Sequence, residues 1–96
     1  MTKITVVAKI RAKEESLEIV KNELLKLVGP TRKEAGCIDY QLYQDIQEPS
    51  VFVFYENWAS AIDLEKHKDT DHYKRYAATV FELIEERVVN KLAKIA

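Results

Sequence analysis

Two histidines, His67 and His72, are the residues of this 96-residue chain best suited to moving protons near neutral pH, because imidazole titrates there without perturbation. They lie in a stretch rich in other groups that bind or polarise small molecules: Tyr40, Tyr43, Tyr55, Glu56, Asn57, Trp58, Tyr73 and Tyr76. A cleft for a small ligand needs mostly apolar, aromatic walls and a few placed polar groups, and this stretch supplies both. His67 and His72 are therefore the catalytic candidates. Tyr40, Tyr55, Glu56, Asn57, Trp58 and Tyr76 are the candidates for binding a substrate. The competing reading makes His67 a helix-end residue that caps carbonyls and His72 a first-turn surface residue, and both readings stand at this point.

Glu56 and Trp58 alternate in phase with Phe52 and Phe54. If that face of the strand is covered, Glu56 is a buried carboxylate in need of a donor, a situation common at functional sites. The two histidines with Glu56 echo a two-histidine, one-carboxylate metal triad. Their spacing of five residues differs from that of a helical ligand pair, and no metal motif matches, so no metal is expected. Cys37 is the only cysteine, which excludes an intrachain disulfide, and it reads as a small hydrophobe rather than a nucleophile. No phosphate-binding glycine loop, nucleophile elbow or dinucleotide fingerprint occurs.

These groups need a frame. Ile4 to Ala12 is rich in β-branched residues and reads as a strand. Lys13 to Ser16 opens a helix, and Leu17, Val20, Leu24, Leu27 and Val28 form its apolar stripe. Gly29-Pro30 interrupts that stripe, although Pro30 also suits the first position of a further turn through Thr31 to Glu34. Gly36 ends the helical region. Cys37 to Ile46 and Val51 to Trp58 read as a hairpin around Gln47-Glu48-Pro49-Ser50. Ser60 and Asp63 fit a capping box for a short helix from Ala61 to about Lys66. Asp69-Thr70-Asp71 starts another, with Tyr73, Tyr76, Ala77, Val80 and Ile84 at helical spacing, and Val88 to Ile95 is the expected last strand.

The order β-α-β-β-α-α-β is an α+β, ferredoxin-like pattern with a four-stranded antiparallel sheet and a split second helix, in one domain over residues 1–96. In the third strand Val51, Val53 and Tyr55 point one way, and Phe52 and Phe54 the other. Helices cover only one face of such a sheet, so a second copy of the chain is expected on the other, giving a homodimer through the sheet face.

Formal net charge is −1, from 15 Lys and Arg against 16 Asp and Glu, so no basic face points to nucleic acid or an anionic membrane. No apolar run approaches membrane-spanning length, and the first residues lack the apolar core of a signal peptide. A cytoplasmic protein is expected.

The segment Pro30-Thr31-Arg32-Lys33-Glu34-Ala35-Gly36-Cys37-Ile38-Asp39-Tyr40 resembles a recurring stretch of the antibiotic biosynthesis monooxygenase family. Phe52-Val53-Phe54-Tyr55-Glu56-Asn57-Trp58 follows, then Leu64, His67 and His72 at that family's spacing. The resemblance implies a dimeric α/β barrel with a pocket between sheet and helices in each subunit. It implies a monooxygenase that oxidises a quinol or polycyclic phenol with O₂, with no flavin, haem or metal cofactor. His67 or His72 would be the base, Trp58 and Tyr55 ring-packing walls, and Glu56 and Asn57 orienting groups. Haem-degrading relatives carry an Asn, a Trp and a His at positions that fall near Val7, His67 and Ala77 here, so haem degradation is disfavoured. Other relatives isomerise small phosphorylated sugars. That activity would want basic residues gathered at the pocket, with Arg32, Lys68, Lys74 and Arg75 as candidates. A non-catalytic dimer that binds a small aromatic ligand is the third expectation.

Overall fold

A computed structural model describes residues 3–96. Strand β1 (Ile4–Ala12) leads through a 3-10 turn at Glu14–Ser16 into helix α1 (Leu17–Arg32). Strands β2 (Cys37–Gln44) and β3 (Val51–Trp58) form a hairpin. Helices α2 (Ala61–Lys68) and α3 (Asp71–Val80) follow, and β4 (Ile84–Leu92) closes the chain. The sheet order is β2-β3-β1-β4, with all pairs antiparallel, which is the expected ferredoxin-like α+β fold.

Alternation along the strands decides what faces the helices. On β1, Val6, Ala8, Ile10 and Ala12 are buried, and they pair in register with Glu56, Phe54, Phe52 and, on β4, Ile84. On β3, Phe52, Phe54, Glu56 and Trp58 share that covered face. Val20, Leu24 and Leu27 of α1, with Tyr76 and Val80 of α3, close over it to complete one core. The hairpin turn is built by Asp45, whose Oδ1 accepts the backbone N–H groups of Gln47 and Glu48 at 2.8 and 2.9 Å. Those two donors favour the ionised carboxylate and hold the Asp45 pKa below its usual value.

Three boundaries differ from expectation. Helix α1 runs unbroken through Gly29 and Pro30 to Arg32. Pro30 loses only one helical N–H one turn from the end, and Thr31 behind it is fully buried and anchors the turn. Strand β2 stops at Gln44 because Asp45 turns the chain. Strand β4 starts at Ile84 rather than Val88. Ile84 continues the helical spacing of Tyr76 and Val80, but Leu83 N–H turns back to the Val80 carbonyl at 2.8 Å and ends the helix first.

Among the described residues nothing covers the opposite sheet face. Val51 is buried, Val53 is half-buried and Tyr55 is 40% exposed, beside exposed Tyr43, Val88 and Leu92. Among the described residues no helix is long and apolar enough to cross a membrane.

Candidate functional site

Two helix caps bring the histidines together. Ser60 Oγ accepts the Asp63 N–H at 3.2 Å and donates to the Asp63 carboxylate at 2.8 Å, which starts α2. Thr70 Oγ1 donates to the His67 carbonyl at 2.7 Å and accepts the Tyr73 N–H at 3.2 Å. One hydroxyl thus ends α2 and starts α3, and it fixes His67 relative to His72. Gly36 lets the neighbouring turn approach: a Cβ there would sit 2.1 Å from Asp63 Cγ. Its own φ is not positive, so glycine is required by proximity rather than by backbone conformation.

The turn between α1 and β2 carries Glu34, and this residue organises the site. Glu34 Oε2 lies 2.7 Å from His67 Nδ1 and 2.7 Å from His72 Nε2. A carboxylate oxygen only accepts, so both nitrogens carry hydrogen. The nitrogen of His67 left for chemistry is then Nε2. Among the described residues it has no hydrogen-bond partner, yet Thr31 Oγ1 is the only fully enclosed unpartnered polar side-chain atom there. His67 Nε2 therefore keeps contact with open space.

That space is a cavity of about 430 Å³ between the sheet and α2 and α3. Val6, Ala8, Phe54 and Leu64 give it apolar walls. Tyr40, Tyr73 and Tyr76 add aromatic ones, and Glu56, His67, Lys68, Arg87 and Lys91 supply charge and polarity. Ala8 in the middle of β1 leaves room that a larger side chain would fill. Strand β4 forms the outer wall and has no helix over it, so Val89 remains 37% exposed although it lines the cavity.

His67 is 2% exposed and enclosed by rings, with centroids of Trp58, Tyr73 and Tyr40 at 4.7, 4.9 and 5.7 Å. Burial lowers its pKa below the usual imidazole value, while the Glu34 hydrogen bond and charge oppose that shift. At neutral pH the ring is therefore neutral and able to take a proton. Glu56 is 5% exposed. Burial pushes its pKa up to about 7, with the Trp58 indole N–H, 2.9 Å from Oε1, and the charge of Arg87 pulling the other way. Burial also raises the hydroxyl of Tyr40 well above its ordinary value and that of Tyr76 to about 12. Both phenols stay protonated at neutral pH and are able to donate a hydrogen bond. Cys37, raised to about 11 by burial first and then by nearby carboxylates, stays a thiol.

Of the residues put forward in the sequence for catalysis or substrate binding, Tyr40, Glu56, His67 and Tyr76 line the cavity. Trp58 is fully buried behind it, supporting both Glu56 and His67. His72 touches Glu34 but faces a separate small depression between α1 and α3. Tyr55 and Asn57 correct the expectation. Strand alternation that turns Glu56 and Trp58 toward the helices turns these two to the opposite face. There Asn57 accepts from Thr5 Oγ1 and donates to Asp39, and both residues line a second depression of about 470 Å³.

The sequence reading missed Glu34, Tyr73's place in the wall, and the pair Arg87 and Lys91. It also paired the histidines with the wrong carboxylate. Glu34, not Glu56, offers a ligand atom with theirs, all three lying within 4.8 Å of one another. As it stands, that set is complete as two hydrogen bonds. A cation there would have to displace both N–H hydrogens from Glu34.

The profile of the family described as antibiotic biosynthesis monooxygenase matches residues 3–79. The chain is 31% identical over 81 residues to the Mycobacterium tuberculosis protein named "Putative monooxygenase Rv0793", covering 84% of this chain and 79% of that one. It is 31% identical over 87 residues to the Escherichia coli protein named "Probable quinol monooxygenase YgiN", covering 80% and 84%. The crystal structure of PA3566 from Pseudomonas aeruginosa superposes with a TM-score of 0.95 at 33% identity, over 100% of this chain and 97% of that one. The chain belongs to the antibiotic biosynthesis monooxygenase family.

Proposed function

We propose that this protein is a monooxygenase that oxidises a quinol or polycyclic phenol with O₂, using the substrate ring as the source of electrons. The observation that carries the reading is the geometry of His67, oriented through Nδ1 by the Glu34 carboxylate, with an Nε2 that has no hydrogen-bond partner among the described residues, in the wall of an aromatic cavity. A quinol hydroxyl gives its proton to Nε2, and the ring anion passes an electron to O₂. The semiquinone and superoxide then join in a C–O bond. Loss of the ring C–H proton breaks the O–O bond and releases water. One quinol and one O₂ become one hydroxyquinone and one water, so no outside reductant is needed. Glu56, with a pKa of about 7, is suited to returning a proton to the departing oxygen. Tyr40 and Tyr76 donate hydrogen bonds to the ring oxygens, and the apolar walls hold the ring out of water.

A second copy of the chain belongs to this reading. The exposed Tyr43, Tyr55, Val88 and Leu92 lie on the sheet face that no helix covers, and pairing two such faces would bury them.

One observation favours a second reading. Glu56 and His67 face one cavity as proton donor and acceptor, which also suits an isomerase that shifts a proton without oxidation. O₂ uptake over a panel of hydroquinones, naphthalenediols and anthrones, corrected for autoxidation, separates the two. Uptake that survives a chelator and falls in His67→Ala supports the oxygenase. No uptake across the panel overturns it and leaves the isomerase. Loss of uptake on chelation would instead move the chemistry to a cation on Glu34, His67 and His72.

A further inference from the structure

We propose that the substrate of this cavity carries an anionic substituent, a carboxylate or a phosphate, held at the β4 side by Lys68, Arg87 and Lys91 while its ring lies against Val6, Ala8 and Phe54. This rests on the aromatic-substrate reading above and adds to it the charge of the ligand. Among the described residues, three cations line the cavity and Glu56 is its only lining carboxylate. Glu56 is buried and bonded to the Trp58 indole. It feels the charges of Arg87 and Lys68 through space, but among the described residues neither cation forms an ion pair with it, so their donors remain open to a ligand at the exposed wall.

The geometry of β4 puts the charges on one side. Arg87, Val89 and Lys91 are alternate residues of the strand, so all three turn toward the cavity. The residues between them face the other way, and there Glu86 pairs with Lys9 at 3.6 Å and with Arg11 at 3.7 Å. Among the described residues, by contrast, neither Arg87 nor Lys91 has a carboxylate within ion-pair distance. Lys68 reaches only Glu65, at 3.3 Å, in an exposed pair that an incoming anion can replace.

Arg87 is also held in place. Its Nη2 donates to the Tyr73 hydroxyl at 3.0 Å, and its Cζ lies 4.7 Å over the Phe81 ring. These contacts use one N–H and one face of the guanidinium, leaving other donors for a planar or tetrahedral anion. A neutral quinol would need none of this. The sequence reading looked for basic residues among Arg32, Lys68, Lys74 and Arg75; of these only Lys68 lines the cavity, and β4 supplies the others.

Calorimetric titration of the full chain with 1-naphthyl phosphate, 1-naphthoate, uncharged 1-naphthol and ring-free ribose 5-phosphate tests the inference. The anionic naphthyl compounds should bind about tenfold tighter than 1-naphthol, and the ratio should shrink with added salt. In Arg87→Gln and Lys91→Gln, whose side chains are exposed and whose folding circular dichroism checks, that ratio should fall toward one. Equal affinity for charged and uncharged rings overturns the inference, as does an advantage that survives both substitutions. The oxygenase reading then still stands if uncharged naphthalenediols consume O₂. Ribose 5-phosphate binding as tightly as 1-naphthyl phosphate would show that the ring contributes nothing and overturn the amphipathic ligand. If anionic rings bind as expected but no diol, charged or not, consumes O₂, the inference holds and the oxygenase reading fails.

Discussion

Glu34 Oε2 accepts the Nδ1–H of His67 at 2.7 Å, tying the turn after α1 to the buried face of α2. The bond sets the His67 tautomer, because a ring whose Nδ1 carries the hydrogen presents its lone pair at Nε2. It also opposes the burial that lowers the imidazole pKa. The second bond of the same oxygen, to His72 Nε2, holds the carboxylate from the other side. Glu34 therefore acts on substrate only through His67, as a positioning residue.

Glu34→Gln tests that role by the pH profile as well as by rate. The amide can present a donor to His67, so the wrong tautomer becomes accessible and kcat/KM should fall about tenfold or more. Activity needs neutral His67 and is lost as pH falls through its pKa. Glu34 raises that pKa, so its removal should move the acid limb to lower pH. A lower rate with an unmoved limb would show a merely structural contribution.

The two histidines should separate. His67 lines the cavity and His72 does not. His67→Ala should lower kcat on a responsive quinol by about a hundredfold or more. His72→Ala removes one support of Glu34 and should cost far less, since His67 keeps its own bond. Equal losses in steady-state kinetics would contradict the assignment of the base.

Much of this site was legible in the chain. Period-two alternation from Phe52 to Trp58 marks Glu56 as buried once a helix covers that face. The same alternation should have sent Tyr55 and Asn57 to the far side, and grouping neighbours by chemistry rather than by parity misplaced them. Glu34 was harder to find. It is one of 16 acidic residues, and its partner His67 lies 33 positions away. Only the pairing of β2 with β3 and the caps at Ser60 and Thr70 bring the two together. Arg87 was hidden by the boundary of β4, since a strand begun at Val88 leaves it outside the sheet.

Glu56→Gln should stabilise the protein at alkaline pH. The folded state holds the Glu56 proton up to about pH 7, whereas the unfolded chain releases it near 4.5. Between those values the folded state binds more protons, so wild-type stability falls as pH rises through this window. The substitution should gain on the order of 2–3 kcal/mol at pH 8 and almost nothing at pH 4. The glutamine oxygen can still accept the Trp58 N–H. Urea unfolding of both proteins at the two pH values measures the difference, and a gain independent of pH would sink the linkage.

Gly36→Ala should destabilise the fold by about 1–3 kcal/mol, because the added Cβ would overlap Asp63 Cγ and Cβ at 2.1 and 2.3 Å. Asp63→Ala in the same chain removes Cγ and leaves Cβ, so it should restore only part of the loss. Thermal unfolding of the single and double variants checks both steps. Full tolerance of the alanine would mean that the turn holding Glu34 can move away from α2 without cost.

Tyr55 tests the covering of the free sheet face. It stands on β3, 40% exposed in the single chain, with half-buried Val7 opposite it on β1 and exposed Val88 and Leu92 on β4 of the same face. If two copies meet there, a stable interface buries roughly 800 Å² from each partner, and a charge near its centre opposes association. Tyr55→Glu should therefore convert a dimer to a monomer by light scattering at micromolar concentration. Tyr55 is partly exposed and lies outside the core cluster, so far-UV circular dichroism should stay unchanged. A wild-type chain that is already monomeric at that concentration, or a Tyr55→Glu variant that stays dimeric, would rule out pairing through this face. Because Asn57, Thr5 and Asp39 form their hydrogen-bonded network beside Tyr55, an intact dimer in the variant would direct attention to the edge strands, β2 and β4, instead.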